Sequence, residues 1–305
     1  MSRFAKCAWS VLAYNLAVVL WGAWVRISGS GAGCGEHWPD CNGEFVPRDP
    51  GLETLIEFTH RATSGLALLA VVGLVVAAFR VFGPRHRVRR AALVALGFMI
   101  AEALLGAGLV IFGLVGEDAS PARAVVMSVH LLNTFCLIGG MTLTAWWAGD
   151  DTPLDWDGPR RRWLILATAL IFSVGITGAI AALGDTLFPA ASLMDGITAD
   201  LDPTSHFLLR LRTLHPVVAL LCAGTLWTLA ARWKDTDIAW PGRLLQALVT
   251  AQILAGFVNL ALLAPGWLQL VHLLLADLLW VVFLVFGIGA LRRRTAPGAE
   301  APGAA

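Results

Sequence analysis

Apolar residues fall into eight long runs separated by short polar stretches, at 8–25, 55–79, 91–112, 124–147, 163–183, 207–231, 244–263 and 267–291. Each run is roughly 18–25 residues, the length a helix needs to cross about 30 Å of hydrocarbon. The pattern predicts an all-α integral membrane protein with eight transmembrane helices. Composition agrees: 57% of the residues are hydrophobic and 14% charged, against roughly 25% charged in a soluble domain. Mean hydropathy is +0.72. A soluble chain could not hide this much apolar surface, so the lipid bilayer is its solvent. A net charge of +1 argues against a nucleic-acid partner. Cys7, Cys136 and Cys222 lie in apolar runs and read as buried free thiols.

Charge sets the orientation. Arg3, Lys6, Arg80, Arg85, Arg87, Arg89, Arg90, Arg160 to Arg162, Arg232, Lys234, Arg243 and Arg292 to Arg294 fall on one face, 16 of the 22 basic residues. The positive-inside rule makes that face cytoplasmic, with both termini on it. The other face carries Glu36, Asp40, Glu44, Asp49, Glu53, Glu117, Asp118, Asp185, Asp195, Asp200 and Asp202. The expected location is the cell membrane. The first run is expected to be a retained span rather than a signal peptide. It ends at Val25, well before Cys34, and contains Asn15 with Arg26 just beyond. The Ala/Pro/Gly-rich tail after about residue 295 is expected to be disordered.

The halves repeat. Trp21-Gly22-Ala23 parallels Thr177-Gly178-Ala179, and Ala101-Glu102-Ala103-Leu104-Leu105-Gly106 parallels Ala251-Gln252-Ile253-Leu254-Ala255-Gly256. Val129-His130-Leu131-Leu132 parallels Val271-His272-Leu273-Leu274, and His60 aligns with His215. Both halves begin on the same side, so the repeats are parallel, related by an axis along the membrane normal. Two four-helix bundles are expected, over 1–150 and 151–305.

His60, His130, His215 and His272 each lie in an even-numbered span, some five to eight residues from its outer end. That is a depth of roughly 8–12 Å. A single intramembrane histidine is often a packed core residue, but four at one depth, two per half, suggest a site. Neutral imidazole is a good axial ligand for haem iron. The residues suggest one bis-histidine haem site per half, His60 with His130 and His215 with His272, both toward the outer face. Zinc or copper is the rival, although tetrahedral zinc needs about four converging ligands and these divide by repeat. Arg61, Arg210 and Arg212 lie near outer helix ends, either to meet haem propionates or to snorkel at the interface.

The halves also differ. Glu57 stands one helical turn before His60 and on the same face, whereas the matching residue before His215 is Arg212. A carboxylate in one half suggests chemistry there; the alternative is an interfacial acid near a helix N-terminus. Glu102, opposite the neutral Gln252, is a buried acid with two open readings, a bond to a neighbouring helix or a proton route. Six residues separate Cys34 from Cys41 in one polar outer loop, where a disulfide is permitted. It could be a staple or a redox-active pair, and His37 between them leaves a metal site open.

Together these residues resemble the heme A synthase family. The carrying stretches are Tyr14 to Arg26, Ser28 to Cys34, Trp38 to Gly43, Ile56-Glu57-Phe58-Thr59-His60-Arg61, His130 to Asn133, Leu214 to Pro216 and Val271 to Leu274. The likeness covers about residues 10–290, with Gly35-Glu36-His37 as a departure in the loop. The resemblance implies oxidation of the C8 methyl of heme O to a formyl group, giving heme A for cytochrome c oxidase. It implies Glu57 as the catalytic carboxylate, His60 and His130 at the substrate haem, and His215 and His272 holding a heme b cofactor. It also implies a Cys34–Cys41 disulfide of the bacterial type. Implied partners are heme O synthase, oxidase assembly factors and an electron acceptor that the sequence does not identify; self-association stays open. Two other classes remain beside it: a di-haem cytochrome exchanging electrons with quinone, and a haem transporter.

Overall fold

A computed structural model describes residues 1–156, 158–234 and 238–292; the expected disordered tail lies outside the described residues. The chain is helical, with α1 Arg3–Ile27, α2 Leu52–Val81, α3 Arg87–Ile111, α4 Pro121–Trp147, α5 Arg160–Leu187, α6 Leu193–Leu201, α7 Phe207–Arg212, α8 Leu214–Arg232, α9 Ala239–Ala261 and α10 Gly266–Ala290. Eight spans are long and apolar enough to cross a membrane, α7 and α8 counting as one from Phe207 to Arg232. The protein is a multi-pass membrane protein.

Several helices begin a few residues ahead of their apolar runs, and polar caps hold the starts of α1 and α4. The Ser2 side chain accepts from Ala5 N–H at the start of α1, and Ser120 accepts from Arg123 N–H ahead of Pro121 in α4. Both arrangements satisfy N–H groups that have no partner within the helix. The sixth span is interrupted at Thr213. Pro216 lacks the N–H that would bond the Arg212 carbonyl, so the helical ladder cannot close there. The added helix α6 begins where Ser192 accepts from Asp195 N–H.

In the first half α1 packs on α2, α2 on α3, α3 on α4 and α4 back on α1; in the second, α5, α8, α9 and α10 close the same ring. The halves meet where α4 packs on α5 and α10, and α1 on α10. One apolar core runs through both, from Leu12 and Met141 to Leu226 and Phe286. Phe135 and Trp280 sit at the seam, and Trp280 Nε1 donates to the Phe135 carbonyl at 2.7 Å.

Candidate functional site

His60 on α2, His130 on α4, His215 on α8 and His272 on α10 all line one cavity of about 1040 Å³ bounded by both halves. The His215 and His272 ring centroids are 6.3 Å apart, with planes inclined at 78°. Two metal–imidazole bonds of about 2 Å each, plus a ring radius at either end, span such a gap.

Each ring lies against a glycine of a repeated motif. A β-carbon on Gly22 would sit 2.8 Å from His60 Cε1, and one on Gly178 would sit 3.1 Å from His215 Cε1. A β-carbon on Gly256 would sit 3.4 Å from His272 Cε1, and one on Gly106 3.9 Å from His130 Nε2, both ordinary contacts. Two glycines of the repeated motifs, Gly22 and Gly178, thus seat the histidines of α2 and α8.

Polar groups around the rings differ between halves. Thr177 Oγ1 is 3.3 Å from His215 Nδ1, and Gln252 Nε2 is 3.2 Å from His272 Nε2. Glu102 Oε1 is 3.2 Å from His130 Nδ1. Nδ1 of His60, His130 and His272 is buried without a hydrogen-bond partner among the described residues, and His130 Nδ1 has only the ion-pair contact with Glu102. Four imidazoles lining one roomy cavity, two from each half, fit a group ligated from both sides, as an axially held haem would be.

Glu57 is buried, 3% exposed, and lines the same cavity. Its Oε2 accepts the backbone N–H of Cys34 at 2.8 Å, and its Oε1 accepts from Arg61 Nη2 at 2.5 Å and Nε at 3.2 Å. Arg61 also donates to the carbonyls of His37 (2.7 Å) and Asp40 (2.6 Å). The Cys34–Cys41 disulfide closes this loop, so both sulfurs are spent and the metal reading at His37 loses its ligands. The loop lies hard on α2: a β-carbon on Gly33 would sit 2.5 Å from the Glu53 backbone. Thr54 Oγ1 donates to the Gly33 carbonyl at 2.8 Å.

The three arginines named from sequence part company. Arg61 and Arg212 line the cavity, but Arg212 is ion-paired to Asp185 at 2.9 Å and Asp200 at 2.5 Å. Arg210 is not among the lining residues; it donates to the Pro203 carbonyl at 3.1 Å on the exposed surface. Two lining arginines were not among those named. Arg26 donates to the Ala182 carbonyl at 2.8 Å, to Thr186 Oγ1 and to Gln269 Oε1 at 2.9 Å, tying α1 to α5 and α10. Arg123, 4% exposed, donates to the carbonyls of Gly116 and Asp118. Each stands one residue outside an apolar run, 8–25 and 124–147, and that place at a span end was the available signal. An acid inside a run marks Asp277, fully buried on α10, whose carboxylate oxygens have no hydrogen-bond partner among the described residues.

Comparison with known proteins adds an independent line. A family model described as COX15-CtaA, cytochrome oxidase assembly protein, matches residues 5–51 and 51–284. Proteins named protoheme IX farnesyltransferase from two strains of Thermus thermophilus are each 48% identical over 301 residues. The match covers 96% of this chain and 49% of theirs, so the chain spans about half the length of these relatives. A heme A synthase of Bacillus mycoides is 41% identical over 114 residues, 37% of either chain. Taken with the eight spans and the glycine-seated histidines, the family match is decisive: this chain belongs to the COX15-CtaA family of cytochrome oxidase assembly proteins.

Proposed function

We propose that the protein is a heme A synthase, an oxidoreductase that converts the C8 methyl of heme O to a formyl group. The observation that carries the reading is Glu57, a buried carboxylate one turn from His60 in a cavity lined by four histidines. The repeat position holds Arg212 instead, paired with Asp185 and Asp200, so a carboxylate one turn before the histidine occurs in the first half and not at the matching place in the second. A pure electron carrier has no use for that asymmetry.

In this reading His60 and His130 orient the substrate haem, and His215 and His272 hold heme b, which supplies one-electron redox chemistry when bound. Methyl plus water to formyl releases four protons and four electrons, and the electrons pass to an oxidant outside the chain. Glu57 is the group placed to take a proton from the reacting carbon or to steady positive charge developing there. Arg61 and the Cys34 N–H hold the carboxylate in one orientation, which is what such a role requires. By the positive-inside rule the loop bearing Cys34 and Cys41 faces outward.

The name of the Thermus relatives gives the second reading, transfer of a farnesyl group to protoheme. That name belongs to proteins of about twice this length. Departure of a diphosphate is usually assisted by Mg²⁺ held on one or two carboxylates. The cavity's carboxylates are otherwise engaged: Glu57 with Arg61, Asp185 and Asp200 with Arg212, and Glu102 with Asn133 and Thr134.

The test is to supply heme O to membranes containing the chain and identify the extracted haems by mass. Hydroxymethyl or formyl haem establishes the oxidase. Unaltered heme O defeats it and leaves a carrier or transporter. Heme O formed from protoheme and farnesyl diphosphate would establish the second reading.

A further inference from the structure

If the histidine pairs hold tetrapyrrole iron, the halves differ in one further constellation. Glu102 on α3 places Oε1 3.2 Å from His130 Nδ1. The same oxygen accepts the Thr134 hydroxyl at 2.5 Å, and Oε2 accepts the Asn133 amide at 2.5 Å. Asn133 is itself fixed by donating to the Phe98 carbonyl at 2.9 Å. The two clamps lie three and four residues beyond His130 on its own helix, so ligand and carboxylate are held as one unit.

No equivalent constellation occurs among the described residues of the other half. The repeat positions of Glu102, Asn133 and Thr134 are Gln252, Leu275 and Ala276. The carboxylate and both clamps are replaced together. Gln252 approaches His272 at Nε2 and not at Nδ1.

A carboxylate at Nδ1–H fixes the tautomer, turns the other ring nitrogen to the metal and makes the imidazole a stronger donor. A neutral amide does this weakly at best. We propose that Glu102 is the positioning residue of His130. It holds the ring for axial ligation from the first half and makes that position favour ferric iron more than the His215–His272 position does. The two sites would then differ in reduction potential through this chain's own residues, the first being the lower.

The test uses the full chain in detergent, loaded with iron protoporphyrin IX, with potentials followed optically and ligation by paramagnetic resonance. His130→Ala and His272→Ala assign the signals, each removing one. Glu102→Gln should raise the midpoint potential of the His130-dependent signal and weaken iron protoporphyrin binding there on the order of 10–100-fold. Glu102→Asp should restore part of both. The His272-dependent signal should not move in either variant, and its presence reports an intact fold. Should Glu102→Gln fail to fold, Asn133→Leu with Thr134→Ala, which leaves the carboxylate but removes its clamps, should shift the same signal in the same direction. An unchanged potential and affinity at the His130-dependent signal would overturn the role of Glu102 while leaving haem binding intact. If His130→Ala removes no signal, the haem reading of that pair fails first, and the role of Glu102 with it.

Discussion

Gly22 on α1 lies against His60 on α2 so closely that a β-carbon there would come 2.8 Å from Cε1 of the ring. Gly178 stands in the same relation to His215, at 3.1 Å. The first contact is below the separation that real β-carbons show, and the second is tighter than most. Both histidines thus owe their ring positions to the missing side chain on a neighbouring helix.

Gly22→Ala should therefore displace His60 and deplete the substrate haem, with formyl product falling in parallel. Gly178→Ala should selectively weaken retention of b-type haem. Overpacking of this kind costs about 1–3 kcal/mol, roughly a ten- to hundredfold loss of occupancy if it falls on ligation. Haem content per protein in each purified variant, read as a pyridine complex, measures both. Equal depletion in the two variants would contradict separate sites.

The ligand pairs should separate in the same way. His215→Ala or His272→Ala should remove the b-type absorption spectrum, because each deletes an axial ligand. His60→Ala or His130→Ala should leave most of that spectrum and abolish heme A formation. Loss of b-type haem from all four variants alike would dissolve the division of labour.

Glu57→Gln keeps the size of the side chain and an oxygen to accept from Cys34 N–H. It removes the base and the ion pair with Arg61. Product should fall on the order of 10²–10⁴-fold, while haem on His215 and His272 is retained. Glu57→Asp should fall between, since a displacement of about 1 Å can itself cost about 10²-fold. Near wild-type heme A from Glu57→Gln would reduce the carboxylate to an anchor for the loop.

That loop gives its own prediction. Alkylation without reductant should leave Cys34 and Cys41 unlabelled, whereas the exposed Cys7 should label. Cys41→Ser should loosen the segment that presents Cys34 N–H and the carbonyls of His37 and Asp40 to Glu57 and Arg61. Activity should drop more than b-type haem content, read on the same preparation.

Topology is testable by reporter fusions. Those after Arg87 and Arg161 should read cytoplasmic, and those near Asp49 and Asp200 external. A cytoplasmic reading at Asp49 would invert the orientation.

The eight spans, the repeat, the four histidines and the place of Glu57 were all legible along the chain. A hydrocarbon solvent makes them so: about 20 consecutive apolar residues are needed to cross it, and any polar residue inside such a run stands out. The same feature exposed Glu102, and Arg26 at the end of a run, without assigning either a partner. Partners depend on how helices far apart in sequence are rotated and packed. Arg26 meets Gln269 across 243 positions, and Arg210, two residues from Arg212, turns to a loop carbonyl while Arg212 enters the cavity. Glu102 meets the helix of His130 only because α3 and α4 pack along their lengths. Local hydropathy determines which segments enter the membrane. Only the tertiary packing decides which side chains face one another there, because every apolar helix offers lipid and protein a nearly equivalent surface.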